Sequence, residues 1–201
     1  MSEQDRLVAY LAESDAAHRA LDPLAIEAAM AAIDRARSAG ATIFTIGNGG
    51  SAATAGHFAA DLQKSTIQPG KRRVRTMPLA DPLALLTAWS NDRSYEAALA
   101  EQIVSLAEPG DVLVAISASG NSPNVVAAVE AARQAGMTVI GLSGFSGGRL
   151  RELSDIAVHV PVDSYEIAED VHHAVCHLLV LSQKPESARP NVGTVAPGVS
   201  V

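Results

Sequence analysis

The sequence predicts a single α/β domain over residues 1–182, built on a doubly wound parallel sheet of about five strands flanked by helices. Two short apolar segments, residues 42–46 and 112–116, are rich in β-branched residues, and each runs through a loop of glycine and serine into a helical pattern. Short apolar strands that alternate with helices are typical of a parallel sheet covered on both faces. At 201 residues, with 48% hydrophobic and 18% charged residues, the chain has the size and composition of one folded core.

Helix and strand signals follow this alternation along the chain. An acidic helical segment reaches about residue 20, and a second helix begins with Asp22 as its N-cap and Pro23 in its first position and ends at Gly40. The other predicted elements are strands at 74–79, 138–142 and 156–160, helices that follow the two loops to about 62 and 135, helices that begin near 81 and 95, and a last helix over 164–182. Three prolines and two glycines after residue 182 predict a loose tail, or a strap over a neighbouring subunit, at residues 183–201.

Charge and cysteine content limit the partners and the compartment that we expect. Fifteen Lys and Arg against 22 Asp and Glu leave a net charge of −7, which counts against binding to nucleic acid or to an anionic membrane. A lone cysteine, Cys176, cannot form an internal disulfide and suits a reducing cytoplasm. Because the N-terminus lacks a basic segment followed by an apolar one, and no apolar run reaches about 18 residues, we expect a soluble cytoplasmic protein.

The two glycine and serine loops are predicted to form an anion-binding cradle. Each loop lies between the end of a strand and the start of a helix, where main-chain N–H groups are unpaired and meet the positive end of the helix dipole. If the two strands are neighbours, the loops converge on one phosphate. The predicted cradle residues are Asn48, Gly49, Gly50 and Ser51 in the first loop and Ser117, Ser119 and Ser122 in the second.

Two alternatives for these loops remain open at this point. Either loop alone is also compatible with a tight turn in which serine caps a helix. Residues 47–52 also fit a dinucleotide-binding fingerprint, which requires an acidic residue at the end of the next strand. Residues 74–79 contain no acidic residue, and Asp81 comes too late, so we expect neither a nicotinamide nor a flavin cofactor.

Histidine and carboxylate side chains recur at helical spacing in two places. His57 and Asp61 are four residues apart on the helix after the first loop, and Glu169, His173 and His177 lie along one arc of the last helix. Pairs of this kind suit either a tetrahedral zinc site or general acid–base chemistry. Solvated or interface histidines are the simpler alternative, above all for His172 and His173. The basic residues of the 71–75 segment are typical of a solvated loop and are left out of the site.

Together these motifs resemble the sugar isomerase (SIS) domain of phosphoheptose isomerases over nearly the whole chain, to about residue 182. The resemblance implies interconversion of sedoheptulose 7-phosphate and D-glycero-D-manno-heptose 7-phosphate by a homotetramer with active sites between subunits. It assigns phosphate binding to Ser51, Ser117, Ser119 and Ser122, a substrate contact to Asp92, and catalysis to Asp61 and His177. It also implies a divalent metal, zinc above all, held by His57, Asp61, Glu169 and His177.

Three residues depart from the pattern of that family. Asp61 is one methylene shorter than the usual glutamate, Glu169 replaces a glutamine, and Ala118 stands where a threonine is common. Two other functions therefore stay open: a non-catalytic SIS module that binds a sugar phosphate or a replication-initiator partner, and an isomerase of a five- or six-carbon sugar phosphate. Retention of both histidine and carboxylate pairs argues against the binding module. The sequence does not decide between a metal centre and a purely organic acid–base pair.

Overall fold

The computed structural model describes residues 1–188, and within that range five strands form one parallel sheet in the order β2-β1-β3-β4-β5. This order confirms the predicted doubly wound α/β fold. The strands are β1 (Thr42–Ile46), β2 (Arg75–Pro78), β3 (Val112–Ser117), β4 (Thr138–Ser143) and β5 (Ile156–His159).

Helices cover both faces of the sheet. They are α1 (Glu3–Arg19), α2 (Pro23–Ala39), α3 (Gly49–Ser65), α4 (Leu83–Asp92), α5 (Ala98–Leu106), α6 (Pro123–Gln134), α7 (Gly148–Leu153) and α8 (Tyr165–Ser182). The predicted caps of α2 are confirmed: the Asp22 carboxylate accepts a hydrogen bond from the Leu24 N–H, and Gly40 adopts a left-handed φ of 77°. The six-residue α7 was missed because it begins at a pair of glycines, which favour a loop in any sequence prediction.

The central strands of the sheet are buried, and the order of the strands determines where a ligand can bind. Every residue of β1 and of β3 is buried, and Ile43 pairs in register with Val112. Separate apolar clusters fill the two faces, one against α2, α3 and α8 and the other against α5, α6 and α7. Since β1 continues to β2 on one side and β3 continues to β4 on the other, the loops after β1 and β3 diverge at a switch point and leave a crevice.

The predicted tail begins with an anchored residue. Gln183 is 3% exposed, and its carbonyl accepts a hydrogen bond from the buried Arg37 guanidinium at 3.0 Å. A short 3-10 helix, Glu186–Ala188, follows, and residues 189–201 of the predicted tail lie outside the described residues. None of the helices within residues 1–188 combines the length and apolar character that a membrane span requires.

Candidate active site

The first loop supplies one wall of a small cavity at the carboxyl edge of the sheet. Gly49 opens α3 with a φ of 51°, which residues with a side chain rarely adopt. The cavity has a volume of about 110 Å³ and is lined by Asn48, Ser51, Ile116, Ser117, Ala118, Ser119, Ser122, Tyr165 and Glu169. The structure therefore brings both predicted loops to one cavity, together with the start of α8.

In the second loop the hydroxyl groups of Ser117 and Ser122 face one another, and the Ser119 hydroxyl accepts a hydrogen bond from the Asn121 N–H. The Ser117 and Ser122 hydroxyl oxygens lie 3.3 Å apart. Ser122 is the N-cap of α6, yet its side chain makes no capping hydrogen bond among the described residues. Both hydroxyls can rotate toward a ligand oxygen, which suits an anion with several acceptor atoms. Ala118 lines the cavity without a hydroxyl, and its carbonyl accepts a hydrogen bond from the Gly144 N–H at 2.8 Å.

Glu169 lies at this cavity instead of deeper between α3 and α8. A Cβ atom placed on Gly50 would collide with the Glu169 carboxylate, so that carboxylate lies directly beside Gly50 at the cavity. Of the predicted metal set, His57, Asp61 and His177 lie in one cluster and Glu169 lies at the cavity, so the four-residue set stays a prediction. A helix rises about 1.5 Å per residue, so the eight residues from Glu169 to His177 separate their backbones by about 12 Å.

Three imidazoles gather where α3 packs against α8. One ring nitrogen from each of His57, His173 and His177 lies within 4.8 Å of the other two, and His57 Nε2 is 3.2 Å from His177 Nε2. His57 Nε2 also lies 3.4 Å from the Asp61 carboxylate, whose other oxygen accepts a hydrogen bond from the Ser65 hydroxyl at 3.2 Å. The structure thus brings His57, Asp61 and His177 together as predicted, and it adds His173.

The neutral form of His173, which keeps a ring-nitrogen lone pair, is favoured because its pKa is lowered. Burial lowers the pKa of His173, and positive charge on His177 or His57 lowers it further because like charges repel. His173 Nδ1 lies 3.4 Å from the Thr54 hydroxyl, which fixes the ring orientation. A neutral imidazole can accept a proton or ligate a metal ion, so the cluster is competent for both kinds of chemistry.

Two neighbours of these histidines on α8 point into the core. His172 is fully buried, and burial lowers its pKa to about 4. Cys176 is also buried, which raises the pKa of its thiol to about 12. Both groups are therefore neutral at pH 7. The expectation that His172 is structural agrees with its position, whereas His173 belongs to the cluster.

Asp92 lies outside the cavity lining. It is exposed at the last residue of α4 and accepts a hydrogen bond from the Asn91 side-chain amide at 2.9 Å. Tyr95, three residues later, reaches the cradle: its hydroxyl donates to the Asn48 side-chain oxygen at 2.8 Å. The sequence analysis missed Tyr95, as well as the cavity-lining Tyr165, because neither residue has a local motif that marks it.

A cavity lined by serine hydroxyls at the switch point, with imidazoles and a carboxylate where α3 packs against α8, defines an α/β domain with a small polar cleft beside titratable groups. Residues 9–144 match the sequence model of the family described as the SIS domain. The chain is 40% identical to the phosphoheptose isomerase of Rhodospirillum rubrum over 155 residues, which are 77% of this chain and 82% of that protein. It is also 40% identical over 157 residues to the lincomycin biosynthesis protein LmbN of Streptomyces lincolnensis, but that match is 73% of this chain and only 57% of LmbN.

Solved structures agree with these sequence matches. A phosphoheptose isomerase from Francisella tularensis has a TM-score of 0.85 at 30% identity, covering 92% of this chain and 99% of that one. The phosphoheptose isomerase of Neisseria gonorrhoeae has a TM-score of 0.82 at 31% identity, with 89% and 97% covered. The chain belongs to the SIS domain family, within the phosphoheptose isomerases, which confirms the resemblance drawn from its motifs.

Proposed function

We propose that the chain is an aldose–ketose isomerase that interconverts sedoheptulose 7-phosphate and D-glycero-D-manno-heptose 7-phosphate. One observation carries the proposal: the cradle and the imidazole–carboxylate cluster lie along the same helix. Ser51 lines the cavity, and His57 follows six residues later, a rise of about 9 Å along α3. A heptose 7-phosphate carries its phosphate and its reacting carbons at opposite ends, so it suits a site divided in this way.

Asp61 and His177 are the proposed acid and base, with the order unassigned. A base removes the proton from the carbon next to the carbonyl, an enediol forms, and the proton returns to the neighbouring carbon. His57 lies between the two groups, 3.4 Å from Asp61 Oδ2 and 3.2 Å from His177 Nε2. Its Nε2 can form a hydrogen bond with either group, one at a time, because a single ring nitrogen carries either a proton or a lone pair.

The same cluster has a donor set that fits a divalent metal, and zinc suits it best. Three imidazole nitrogens with a carboxylate beside them are ligands that zinc prefers. As the alternative to proton transfer by His177, we propose His57, His173 and His177 as ligands of this metal, with Asp61 within reach of the same ion. When bound, the metal supplies Lewis-acid polarisation of the substrate oxygens. The cluster fits this role without Glu169.

A sugar phosphate is the proposed small-molecule partner, and further copies of the chain are the proposed protein partners. Leu7, Val8 and Leu11 on α1 are 59%, 60% and 58% exposed, which is unusual for a row of apolar side chains on one helix. These residues support a homotetramer with active sites between subunits, which light scattering can test. The lone buried cysteine and the net charge of −7 support a cytoplasmic location without nucleic-acid or membrane binding.

The deciding experiment is incubation with sedoheptulose 7-phosphate, followed by NMR analysis of the sugar product. In H2O we expect an aldoheptose 7-phosphate of unchanged mass, and in D2O we expect one solvent deuterium at the carbon that is reprotonated. Five- and six-carbon ketose phosphates are run beside it. Faster turnover of a shorter sugar would reassign the substrate, and binding without turnover of any of the sugars would identify a non-catalytic SIS module.

A further inference from the structure

Asn48 occupies the N-cap position of α3 but does not cap the helix. Asparagine at this position ordinarily accepts a hydrogen bond from the second or third N–H of the helix. The Asn48 side chain makes no such bond within the described residues. As a result, the N–H groups of Gly50 and Ser51 form no hydrogen bond with the Asn48 side chain, which would ordinarily cap them.

The Asn48 amide is instead held by two side chains from other elements. Asn48 and Asn124 exchange hydrogen bonds through both amide groups, at 2.9 and 2.8 Å. The Tyr95 hydroxyl donates the third bond, at 2.8 Å, to the same Asn48 oxygen that Asn124 contacts. Both acceptor positions of that oxygen are then occupied, so it is not free to turn back toward its own helix.

Asn124 and Tyr95 differ in how firmly they are fixed. Asn124 is 2% exposed and its side-chain oxygen also accepts from the Val125 N–H, so it belongs to the rigid start of α6. Tyr95 is 53% exposed in the turn between α4 and α5. Its ring gains little from burial, and its hydroxyl reaches from an outer segment to a residue that lines the cavity.

We infer that Tyr95 is a positioning residue for phosphate binding, which holds Asn48 away from the first turn of α3 and so keeps the Gly50 and Ser51 N–H groups available to the phosphate. This inference rests on the proposed function for the identity of the substrate, but not for the anion site itself. Tyr95 acts through Asn48 and does not touch the reacting carbons.

Tyr95→Phe removes the hydroxyl and leaves the ring. The variant should raise KM for sedoheptulose 7-phosphate about three- to tenfold, the usual worth of one neutral hydrogen bond, while kcat stays within about twofold. Tyr10→Phe is the matched control, because the Tyr10 hydroxyl also donates to one side chain, Asp170 at 2.6 Å, away from the cradle. That control should leave KM unchanged. Equal KM values for Tyr95→Phe and the parent protein would overturn the inference.

A double variant tests whether the Tyr95 hydroxyl affects KM through Asn48. In Asn48→Ala protein no side chain can turn back to cap α3, so adding Tyr95→Phe should raise KM no further. A full additional increase in that background would show that the tyrosine hydroxyl contacts the substrate directly, which contradicts the inference. Thermal unfolding of each variant identifies any that fail to fold.

The probe that separates this inference from the proposed function is inorganic phosphate, titrated while the amide resonances of Gly50 and Ser51 are followed by NMR. Tyr95→Phe should weaken phosphate binding by the same three- to tenfold factor. If the parent protein isomerises no heptose phosphate but Tyr95→Phe still weakens phosphate binding, the proposed function fails and the inference stands. If the parent isomerises the sugar and phosphate binds both proteins equally, the inference fails and the function stands.

Discussion

The first turn of α3 and the stretch from His57 to Asp61 present different kinds of atoms to a ligand. At the first turn, main-chain N–H groups and small hydroxyls line a cavity, and Ser51 is only 4% exposed. Further along, ring nitrogens and a carboxylate meet α8, and the His57 side chain is 47% exposed. One end of the site is fixed by the backbone, whereas the other depends on how two helices pack.

This difference separates ligand binding, which depends on the first region, from the proposed reaction, which depends on the second. Main-chain donors at a helix start keep their direction whatever the neighbouring side chains are, so the cradle suits any phosphorylated ligand of the right size. The imidazole cluster is the proposed site of the reaction, because acid, base and metal ligand are all side-chain properties. Binding and turnover should therefore respond to separate substitutions.

The largest expected effect comes from the second region. Asp61→Asn or His177→Ala should lower kcat about a hundredfold or more through loss of proton transfer, while KM changes little. Steady-state kinetics with sedoheptulose 7-phosphate measure both values. Glu27→Gln, a carboxylate-to-amide change on the exposed face of α2, is the control and should be silent. A normal kcat in both site variants would remove these residues from the acid–base role.

Zinc affinity tests which side chains form the cluster. Loss of a group that supports a metal ligand can weaken metal binding roughly 100-fold, and loss of the ligand itself should weaken it at least as much. His173→Ala should therefore weaken zinc binding by that factor or more. Calorimetry on metal-free protein gives the dissociation constants, and the exposed His18→Ala is the control. If Glu169→Ala weakens zinc binding instead and His173→Ala does not, the ligand set implied by the sequence is right and the three-imidazole set is wrong.

Ser122→Ala tests the cradle without disturbing the fold. Removal of a hydrogen bond to a phosphate costs about 1.5–3 kcal/mol, so KM should rise about tenfold or more, with kcat little changed. The melting temperature should move little, because the Ser122 hydroxyl does not cap α6 in the described structure and its one contact, to the Ser117 hydroxyl, is long at 3.3 Å. Ser105→Ala removes an exposed hydroxyl that bonds the Glu101 carbonyl and serves as the control. An unchanged KM would mean that the second loop does not hold the phosphate.

The smallest expected effect concerns the carboxylate that shares the cavity with the phosphate. Glu169→Gln removes a like charge from the cradle, which should tighten inorganic phosphate binding by about 1 kcal/mol, or roughly fivefold, at low salt. Asp170→Asn is the control on the same helix, since that carboxylate accepts from Tyr10 rather than facing the cradle. Weaker phosphate binding in Glu169→Gln would show that the carboxylate supports the site instead of opposing the anion.

The sequence predicted the first region better than the second, for a physical reason. Strand bounds, caps and the glycine loops are local signals, so β1 lies where the pattern put it, and α3 begins at Gly49, within the predicted glycine loop. His173 lies four residues from both Glu169 and His177 on one arc, and the spacing alone does not say which of them reaches α3. That depends on how α3 and α8 pack, which places Glu169 over Gly50 and His173 beside His57. The link between Tyr95 and Asn48 joins residues 47 positions apart and has no local signature.

Arg37 on α2 ties together the far ends of the two helices that carry the cluster. Its buried guanidinium donates to the carbonyls of Thr66 and Gln183, the C-caps of α3 and α8, at 2.9 and 3.0 Å, and to the Arg72 carbonyl at 2.7 Å. A cation at two helix C-termini also complements both dipoles. Arg37 thereby joins the C-terminal ends of α3 and α8, roughly 14 Å along α3 from His57. A buried residue remote from the imidazole cluster thus connects the two helices that carry it.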